Sequence, residues 1–362
     1  MSQRGHIDDV DPEVSGLKLK VNYQGYCKTP VRLSLAGGGT DVEPFSSSHG
    51  SKVLNFAIKE FVFGEIQPYF PNNEAKPISL SIVSNSIGSE MQKNRVKSNF
   101  EILLEQKLTE CFELKLPFAV SISLRTPFSP GSGLGASSSI VLTAVHLLCQ
   151  LMEDTVNPLD LAKRAFEIER TQMGIAGGFQ DQFACALGGI CYLTAQNGVI
   201  EAEKLKVSSK FIRDLESSMI LVNLGVSRSG ETIIEKQISN VTARKSSTIH
   251  ALKDQLKLAH DMKHSVLNEN LTEVGKLLQR AWLAKREFAA EITSQSIDKL
   301  ISQLLNLGAL GAKLSGAGGG GHMLCLVPNE SKTRETIEHF LLQEGYTFRT
   351  VEISHLGSVA WT

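Results

Sequence analysis

The sequence predicts a two-domain α+β protein. Its 362 residues exceed what a single compact core usually holds, and 42% hydrophobic with 21% charged residues is an ordinary globular composition. Short β-rich runs with alternating polarity occupy residues 18–84, whereas helical patterns dominate residues 230–306. We therefore expect a flexible N-terminal arm over residues 1–17, an N-terminal domain over 18–205 and a C-terminal domain over 206–362.

In the N-terminal domain, Gly, Pro or Asn bounds each β-rich run, as is typical of strands. The predicted strands lie at 17–27, 31–37, 51–58, 60–70, 78–84 and 117–126. A helix follows at 137–152; it is apolar nearly all round and is therefore expected to be buried. Asn157-Pro158 predicts the start of a further helix, extending to about residue 172, because Asn is a favoured N-cap and Pro suits the first helical position.

The C-terminal domain reads as mostly helical. Its predicted elements are a strand at 218–224, helices at 230–268, 272–291 and 294–306, a strand at 322–327, a helix at 331–343 and a strand at 347–353. The amphipathic helices between 241 and 291 could pack internally or across a homodimer.

Charge and composition exclude several classes of partner. Lys and Arg total 37 and Asp and Glu total 38, so the net charge of −1 argues against nucleic acid or an anionic membrane as the main partner. The six cysteines are scattered without a C-x-x-C pair, as in buried thiols of a reducing compartment. The N-terminus lacks an apolar signal core, and the longest apolar stretch, 140–152, is too short to span a membrane. We expect a cytoplasmic protein that holds anionic ligands at a local site.

One glycine-rich loop leads directly into the predicted helix at 137–152. It reads Pro130-Gly131-Ser132-Gly133-Leu134-Gly135-Ala136-Ser137-Ser138-Ser139. Glycines allow a close backbone approach, and the first turn of a helix offers unpaired N–H groups and the positive end of the dipole. The serines could cap the helix, bind phosphate or ligate Mg²⁺. The spacing matches neither G-x-x-x-x-G-K-[ST] nor G-x-G-x-x-G. The loop predicts an anion site, with a serine-capped flexible turn as the alternative.

Two further segments are rich in glycine. Lys313-Leu314-Ser315-Gly316-Ala317-Gly318-Gly319-Gly320-Gly321 connects a helix and a strand, at a cost in chain entropy that a plain connection does not require. Its alternative role is a tight turn or close packing of elements. Gly38-Gly39-Thr40-Asp41 ends a β-rich run, and its polar side chains could either bind substrate hydroxyls or terminate the strand with an Asx cap.

Two carboxylates complete the set of candidate residues. Leu159, Ala162, Phe166 and Glu169 fall on one helical face, so Glu169 is predicted to be buried, where a carboxylate needs a cation, a metal or a donor. An ion pair with Arg170 is the structural alternative. Asp181 follows two glycines, and its alternative role is a helix cap.

Together these segments resemble the GHMP kinase superfamily. Its P-x-[RK] motif, its P-x-G-x-G-L-G-[SA]-S-S loop and its K-x-[ST]-G-A-G-G-G loop correspond in order to residues 30–41, 130–139 and 313–321. The resemblance implies the two-domain GHMP kinase fold, with an N-terminal ribosomal-protein-S5-like α/β domain and a C-terminal ferredoxin-like α+β domain. It also implies that ATP and Mg²⁺ bind between the domains.

The resemblance assigns roles to individual residues. Residues 130–139 would hold the triphosphate, Glu169 with Ser138 or Ser139 would bind Mg²⁺, and Asp181 would be the general base. Arg32 would favour the ionised form of Asp181 through its opposite charge. The candidate substrate contacts are Gly38, Gly39, Thr40, Asp41, Gly178, Arg228, Gly316, Gly318 and Gly319.

Within the superfamily, A-G-G-G-T-D-V-E-P-F followed by G-S-K-V-L-N-F-A-I is similar to the branch of D-glycero-D-manno-heptose 7-phosphate kinases. These phosphorylate an anomeric oxygen on the route to nucleotide-activated heptoses. Galactokinases carry G-E-H-T-D where this chain has Gly38 and Gly39 before Thr40-Asp41. Arg228 is the candidate for binding the substrate phosphate, or it forms an ion pair with Glu231. A fucokinase-like or other monosaccharide kinase, and a catalytically silent sugar sensor, remain the alternatives.

Overall fold

The computed structural model describes residues 23–69, 77–84, 96–114, 118–129, 131–225 and 230–362. The predicted arm at 1–17, Pro130 and Arg228 lie outside these ranges. In the part of the chain described, no helix is both long and apolar enough to cross a lipid bilayer. The six cysteines are unpaired thiols, and all of them except Cys111 are buried.

Two β-sheets organise the described residues. The first has seven strands: β1 (Gly25–Ala36), β2 (Ser51–Tyr69), β3 (Ile78–Ser84), β4 (Ala119–Thr126), β5 (Ile190–Gln196), β6 (Val199–Lys204) and β11 (Val359–Trp361). Its order is β11-β1-β2-β4-β3, with β5 also on β2 and β6 on β5; only the β3–β4 pair is parallel. The second sheet is antiparallel in the order β10-β7-β9-β8 and contains β7 (Met219–Asn223), β8 (Gly311–Leu314), β9 (His322–Leu326) and β10 (Thr347–Arg349).

Helices cover both sheets. They are α1 (Phe45–His49), α2 (Asn99–Phe112), α3 (Ala136–Leu151), α4 (Pro158–Phe166), α5 (Gln180–Leu187), α6 (Ser209–Ser218), α7 (Gly230–Thr242), α8 (Ser246–Leu267), α9 (Leu271–Lys285), α10 (Gln295–Asn306) and α11 (Ser331–Gln343). α3 is buried on most of its surface, as its all-round apolar pattern predicted. This mixture of sheets and helices confirms the predicted α+β class.

Several predicted elements have different limits in the structure. The run that ends at residue 27 and the run that begins at residue 31 form the single strand β1, and the two runs between 51 and 70 form β2. The pairing of β1 with β2 shifts between Pro30 and Val31, because Lys59 and Glu60 form a bulge in β2. A bulge keeps a strand continuous where the alternation of the sequence breaks.

The predicted helix 230–268 is two helices in the structure. α7 ends at Thr242, and Arg244 adopts a left-handed φ of +54° before α8 begins at Ser246. The last strand was also missed. β11 pairs with β1 of the first sheet, so the chain end lies apart from the residues with which the sequence analysis grouped it.

α4 supports the candidate carboxylate Glu169. Asn157 caps the helix as predicted, with its side-chain oxygen accepting from the N–H groups of Leu159 and Asp160, each at 3.0 Å. α4 continues into a π-helix, Glu167–Gln172. π-Helices are rare in proteins, and those that occur are often found at functional sites. Glu169 is fully buried, as expected. Leu159 is 37% exposed, so its assignment to the buried face was wrong; the buried stripe is centred on residues 161, 165 and 168.

The two sheets share a hydrophobic core. Leu33 and Leu35 of β1 belong to the same buried cluster as Met262 of α8 and Leu278 of α9. The amphipathic helices α8 and α9 therefore pack internally, against each other and against β1. This shared core places the loop before α3 opposite the loop between β8 and β9.

Candidate active site

The first glycine-rich loop has the backbone geometry that an anion site requires. Gly131, Gly133 and Gly135 have φ of +81°, +76° and +75°, a conformation that favours glycine. Gly135 immediately precedes α3, and no side chain of the described residues caps this helix. The serine-capped alternative is therefore not what the described residues form, and the first turn of α3 faces the cleft without a side-chain cap.

Arg32 and Asp181 form an ion pair at the foot of this loop. The Asp181 Oδ1 atom accepts from Arg32 Nε at 2.7 Å and lies 2.6 Å from Nη2. Arg32 Nη1 also donates to the Gly133 carbonyl oxygen at 2.6 Å. The second carboxylate oxygen of Asp181 lies beside Gly135. One arginine thus holds the carboxylate in a set position against the loop.

Glu169 lies on the opposite side of the start of α3. Its Oε1 accepts from the Ser137 hydroxyl at 3.0 Å, and its Oε2 accepts from Gln182 Nε2 at 2.6 Å. Arg170 Nη1 lies 3.5 Å from Oε1, so the ion pair considered as an alternative is also present. A carboxylate beside a hydroxyl supplies the hard oxygen donors that Mg²⁺ prefers, so this pair fits a magnesium ion.

The structure corrects which serine accompanies Glu169. Ser138 is fully buried and accepts a hydrogen bond from a guanidinium group at 3.3 Å. Ser139 is also buried and donates to the Pro30 carbonyl at 2.9 Å. Ser137 faces the carboxylate instead. Successive helical residues point about 100° apart, so three consecutive serines cannot all face one group.

The two glycine-rich loops meet. The Ser315 hydroxyl donates to the Gly133 carbonyl at 2.9 Å, and His322 Nδ1 lies 2.8 Å from the Ser132 carbonyl oxygen. A methyl group added at Gly316 would lie 2.5 Å from the Gly133 Cα atom, so the glycines permit this approach. Gly318 and Gly319 instead pack against the 3₁₀ turn Ala290–Ile292, with the Gly319 N–H donating to the Ile292 carbonyl at 2.8 Å.

Replacing Gly316 with alanine should therefore separate the loops. We expect kcat/KM for ATP, the cosubstrate that the resemblance implies, to fall by about 10²-fold, the effect of a misplacement of roughly 1 Å in a catalytic site. Gly345→Ala is the matched control, because Gly345 has a similar positive φ of +80° and nothing within 4 Å of the added methyl group. Steady-state kinetics with varied ATP measure the effect. Equal losses in the two variants would show that backbone strain, and not loop contact, is responsible.

The segment Gly38–Asp41 divides between cleft and core. Gly38 and Gly39 line the cleft. Thr40, predicted to contact substrate, is fully buried, and its hydroxyl bonds to the backbone carbonyl of Gly37 at 2.8 Å. Asp41 is also buried; its carboxylate accepts from the N–H of Gly39 and from Gln180. Burial raises the pKa of Asp41 above its usual value.

Gly178 is the glycine that admits the Asp41 carboxylate. A methyl group added at Gly178 would lie 2.0 Å from Asp41 Oδ2. Any side chain at residue 178 would therefore displace this carboxylate.

Two lysines that line the cleft were not among the predicted site residues. Lys285 ends α9, and Lys313 lies in β8; both side chains are almost fully buried, and both line the cleft. Lys285 continues the apolar stripe of Leu278 and Ala281 at helical spacing, a signal by which it could have been found. In the sequence, Lys313 stands out only as the first residue of the K-x-[ST]-G-A-G-G-G motif.

Most of these groups line one cleft of about 870 Å³, a usual size for a small-molecule site, whereas the buried Thr40, Asp41 and Glu169 lie behind its surface. One end is apolar and is lined by Ile82, Phe100, Phe128 and Ile140. The other end holds Arg32, Asp181, the two lysines and the glycines of residues 38–39. A ligand with an apolar ring and a charged tail therefore fits along the cleft.

Two protein-family models match separate segments of the chain. The model for the GHMP kinases N terminal domain matches residues 94–189, and that for GHMP kinases C terminal matches residues 262–346. The chain belongs to the GHMP kinase family. As a GHMP kinase it is an ATP-dependent enzyme, and the first glycine-rich loop lies inside the matched N-terminal segment.

Relatives of known activity align with most of this GHMP kinase. The D-glycero-alpha-D-manno-heptose 7-phosphate kinase of Campylobacter jejuni is 26% identical over 325 residues, covering 88% of this chain and 94% of that protein. The bifunctional fucokinase/GDP-fucose pyrophosphorylase of Arabidopsis thaliana is 26% identical over 347 residues, covering 91% of this chain and 32% of that protein. The chain thus spans about a third of the Arabidopsis protein.

Solved structures agree on the fold of this GHMP kinase. A D-glycero-D-manno-heptose 1-phosphate kinase from Bacteriodes thetaiotaomicron superposes with a TM-score of 0.70 at 24% identity, covering 93% of this chain and 99% of that one. Lactococcus lactis galactokinase complexed with galactose gives a TM-score of 0.69 at 18% identity, covering 94% of this chain and 96% of that one. These similarities confirm the predicted GHMP kinase fold.

Proposed function

We propose that this GHMP kinase phosphorylates the anomeric hydroxyl of D-glycero-D-manno-heptose 7-phosphate, giving the 1,7-bisphosphate for nucleotide-activated heptose biosynthesis. The observation that carries the proposal is the double contact of Arg32, which pairs with Asp181 while donating to Gly133 in the phosphate loop. This contact supports Asp181 as the proton acceptor for a sugar hydroxyl beside the end of a triphosphate.

The apolar end of the cleft suits adenine, and the loop from Gly131 to Ser137 suits the phosphates. Phosphoryl transfer depends mainly on positioning and on stabilisation of charge. Asp181 orients the acceptor hydroxyl and takes its proton, and Arg32 keeps the carboxylate in place. Glu169 and Ser137 would hold Mg²⁺, which neutralises phosphate charge when it is bound.

The end of the cleft that is lined by Gly38 and Gly39, where the sugar would bind, supports a substrate other than galactose. Galactokinases carry Glu-His where this chain has Gly38-Gly39. A methyl group at Gly39 would lie 2.7 Å from the Phe288 ring, and the residue has a φ of +98°. Larger side chains there would clash. The Campylobacter heptose 7-phosphate kinase, aligned over 88% of this chain, makes a heptose phosphate the first candidate.

A second candidate is a free sugar such as L-fucose, because the Arabidopsis fucokinase aligns at the same 26% identity. A silent sugar sensor is disfavoured by the retained Asp181 and Glu169, since a sensor needs no proton acceptor.

An ADP-release assay with heptose 7-phosphate, free heptose, L-fucose and D-galactose separates these candidates. We expect the highest kcat/KM with heptose 7-phosphate and a new phosphate on C1 by ³¹P NMR. Faster turnover of L-fucose would replace the first candidate by the second.

A further inference from the structure

Lys285 and Lys313 are buried lysines whose amino groups contact no carboxylate among the described residues. Their side chains belong to residues that are 5% and 3% exposed. Lys285 Nζ donates to the carbonyl oxygens of Leu314, at 3.3 Å, and Gly316. Lys313 Nζ donates to the Ser34 carbonyl at 2.7 Å. Carbonyl dipoles compensate a buried charge only in part, so each ammonium group is costly in the free enzyme.

The charged groups around these lysines do not balance. Arg32 lies close enough to both lysines to repel them. The carboxylate of Asp181 is already paired with Arg32, and that of Asp41 is bonded to neutral donors. Three basic side chains thus lie near two carboxylates in a group of largely buried residues. One further negative charge would complete the cluster.

We propose that Lys285 and Lys313 form an anion subsite that binds a phosphoryl group in the cleft. The subsite lies between the second glycine-rich loop, which Lys285 contacts at Gly316, and β1, which Lys313 contacts at Ser34. Two sources can supply this group: the terminal phosphate of ATP, or the phosphate carried by the proposed sugar substrate. The second source rests on the proposed function, whereas the first rests only on the kinase family.

Proton uptake on binding is the signature of such a subsite. Burial, followed by repulsion from Arg32, lowers the pKa of Lys285 to about 7 despite attraction by Asp41 and Asp181. Burial and the charges of Lys285 and Arg32 lower the pKa of Lys313 well below its usual value. An anion favours the charged form of both groups and raises their pKa. At pH 8 ligand binding should therefore draw protons from the buffer, and the uptake should shrink below pH 7, where Lys285 is already charged.

Calorimetric titrations of the full chain at pH 8, in two buffers that differ in ionisation enthalpy, count these protons. The probes are AMP-PNP with Mg²⁺, ADP with Mg²⁺, heptose 7-phosphate, free heptose, and sulfate, a tetrahedral anion that does not titrate at this pH. We expect uptake of at least about 0.5 proton per binding site. Lys285→Met should lose most of this uptake and weaken binding of the responsive probe by about 10- to 100-fold.

A matched control separates charge from packing. Lys276 lies on α9 like Lys285, but its side chain is 65% exposed. The Lys276→Met variant should therefore leave ligand affinity and proton uptake unchanged. Lys313→Met is the second variant, and thermal melting with near-ultraviolet circular dichroism reports folding of all three. A purely structural role for the lysines would lower the melting temperature of the methionine variants without altering proton uptake per bound ligand.

The probes also identify the source of the phosphoryl group. Uptake with AMP-PNP but not with ADP assigns the subsite to the terminal phosphate of ATP. Uptake with heptose 7-phosphate but not with free heptose assigns it to the substrate. No uptake with any probe, sulfate included, overturns the subsite. Uptake with AMP-PNP or sulfate, without turnover of heptose 7-phosphate, keeps the subsite and rejects the proposed substrate instead.

Discussion

Asp181→Asn should lower kcat by about 10²–10⁴-fold, the usual contribution of a general base. Asparagine keeps an oxygen for the two Arg32 N–H groups, so the loop geometry at Gly133 should persist. The amide cannot accept the proton of the sugar hydroxyl. An anomeric hydroxyl is more acidic than an ordinary alcohol, which places the expected loss towards the lower end of the range. The coupled ADP assay measures kcat, and calorimetry with AMP-PNP measures nucleotide affinity, which should change by less than about threefold.

The control for this variant is Asp254→Asn. Asp254 lies on α8 with a side chain that is 52% exposed and pairs only with His250 at 3.5 Å among the described residues. The variant makes the same chemical change at a residue that does not line the cleft, and its kcat should equal that of the wild type. If Asp181→Asn kept more than about a tenth of the wild-type kcat, Asp181 would not be the base, and positioning alone would account for the rate.

Glu169→Gln should raise the Mg²⁺ concentration needed for half-maximal activity by at least about tenfold and lower kcat by about 10²-fold, because charge stabilisation by a bound metal contributes several kcal/mol. Glutamine has the same shape and can still accept from Ser137, so the start of α3 should keep its structure. The variant lacks the negative charge that a divalent cation requires. Activity at a series of Mg²⁺ concentrations with fixed total ATP gives both quantities.

Glu167→Gln provides the matched change on the same π-helix. Glu167 is exposed and accepts from the Thr171 hydroxyl at 3.0 Å, so its loss should leave the Mg²⁺ dependence unchanged. An unaltered Mg²⁺ requirement in Glu169→Gln would assign this carboxylate to the ion pair with Arg170 and to the hydrogen bond from Gln182. The ion would then have to bind to other groups.

The parts of the site that depend on the local backbone of one segment could be predicted from the sequence. The positive-φ glycines at 131, 133 and 135 and the helix start that follows them are local features. The burial of Glu169 also followed from helical spacing. The choice among Ser137, Ser138 and Ser139 did not, because it depends on the side of α3 against which the π-helix packs.

The same limit applies to the fold. Alternation of polarity predicted the strands of the first sheet, yet it divided β1 and β2 at polar residues that the structure accommodates by a bulge. β11 was invisible because three residues give too little pattern, and its place beside β1 comes from pairing across the length of the chain. The fully buried Thr40 was assigned to the cleft because a polar residue after glycines resembles a ligand contact.

By itself the sequence determined the α+β class, the two glycine-rich loops, the cap at Asn157 and the pairing of Arg32 with Asp181 in one site. These depend on local backbone preference, helical spacing, or motifs that resemble a known family. Only the tertiary structure decided that Lys285 and Lys313 approach each other beside that pair. Burial, and the repulsion between charges from distant segments, exist only once α9, β1 and β8 are packed together, and no local pattern encodes them.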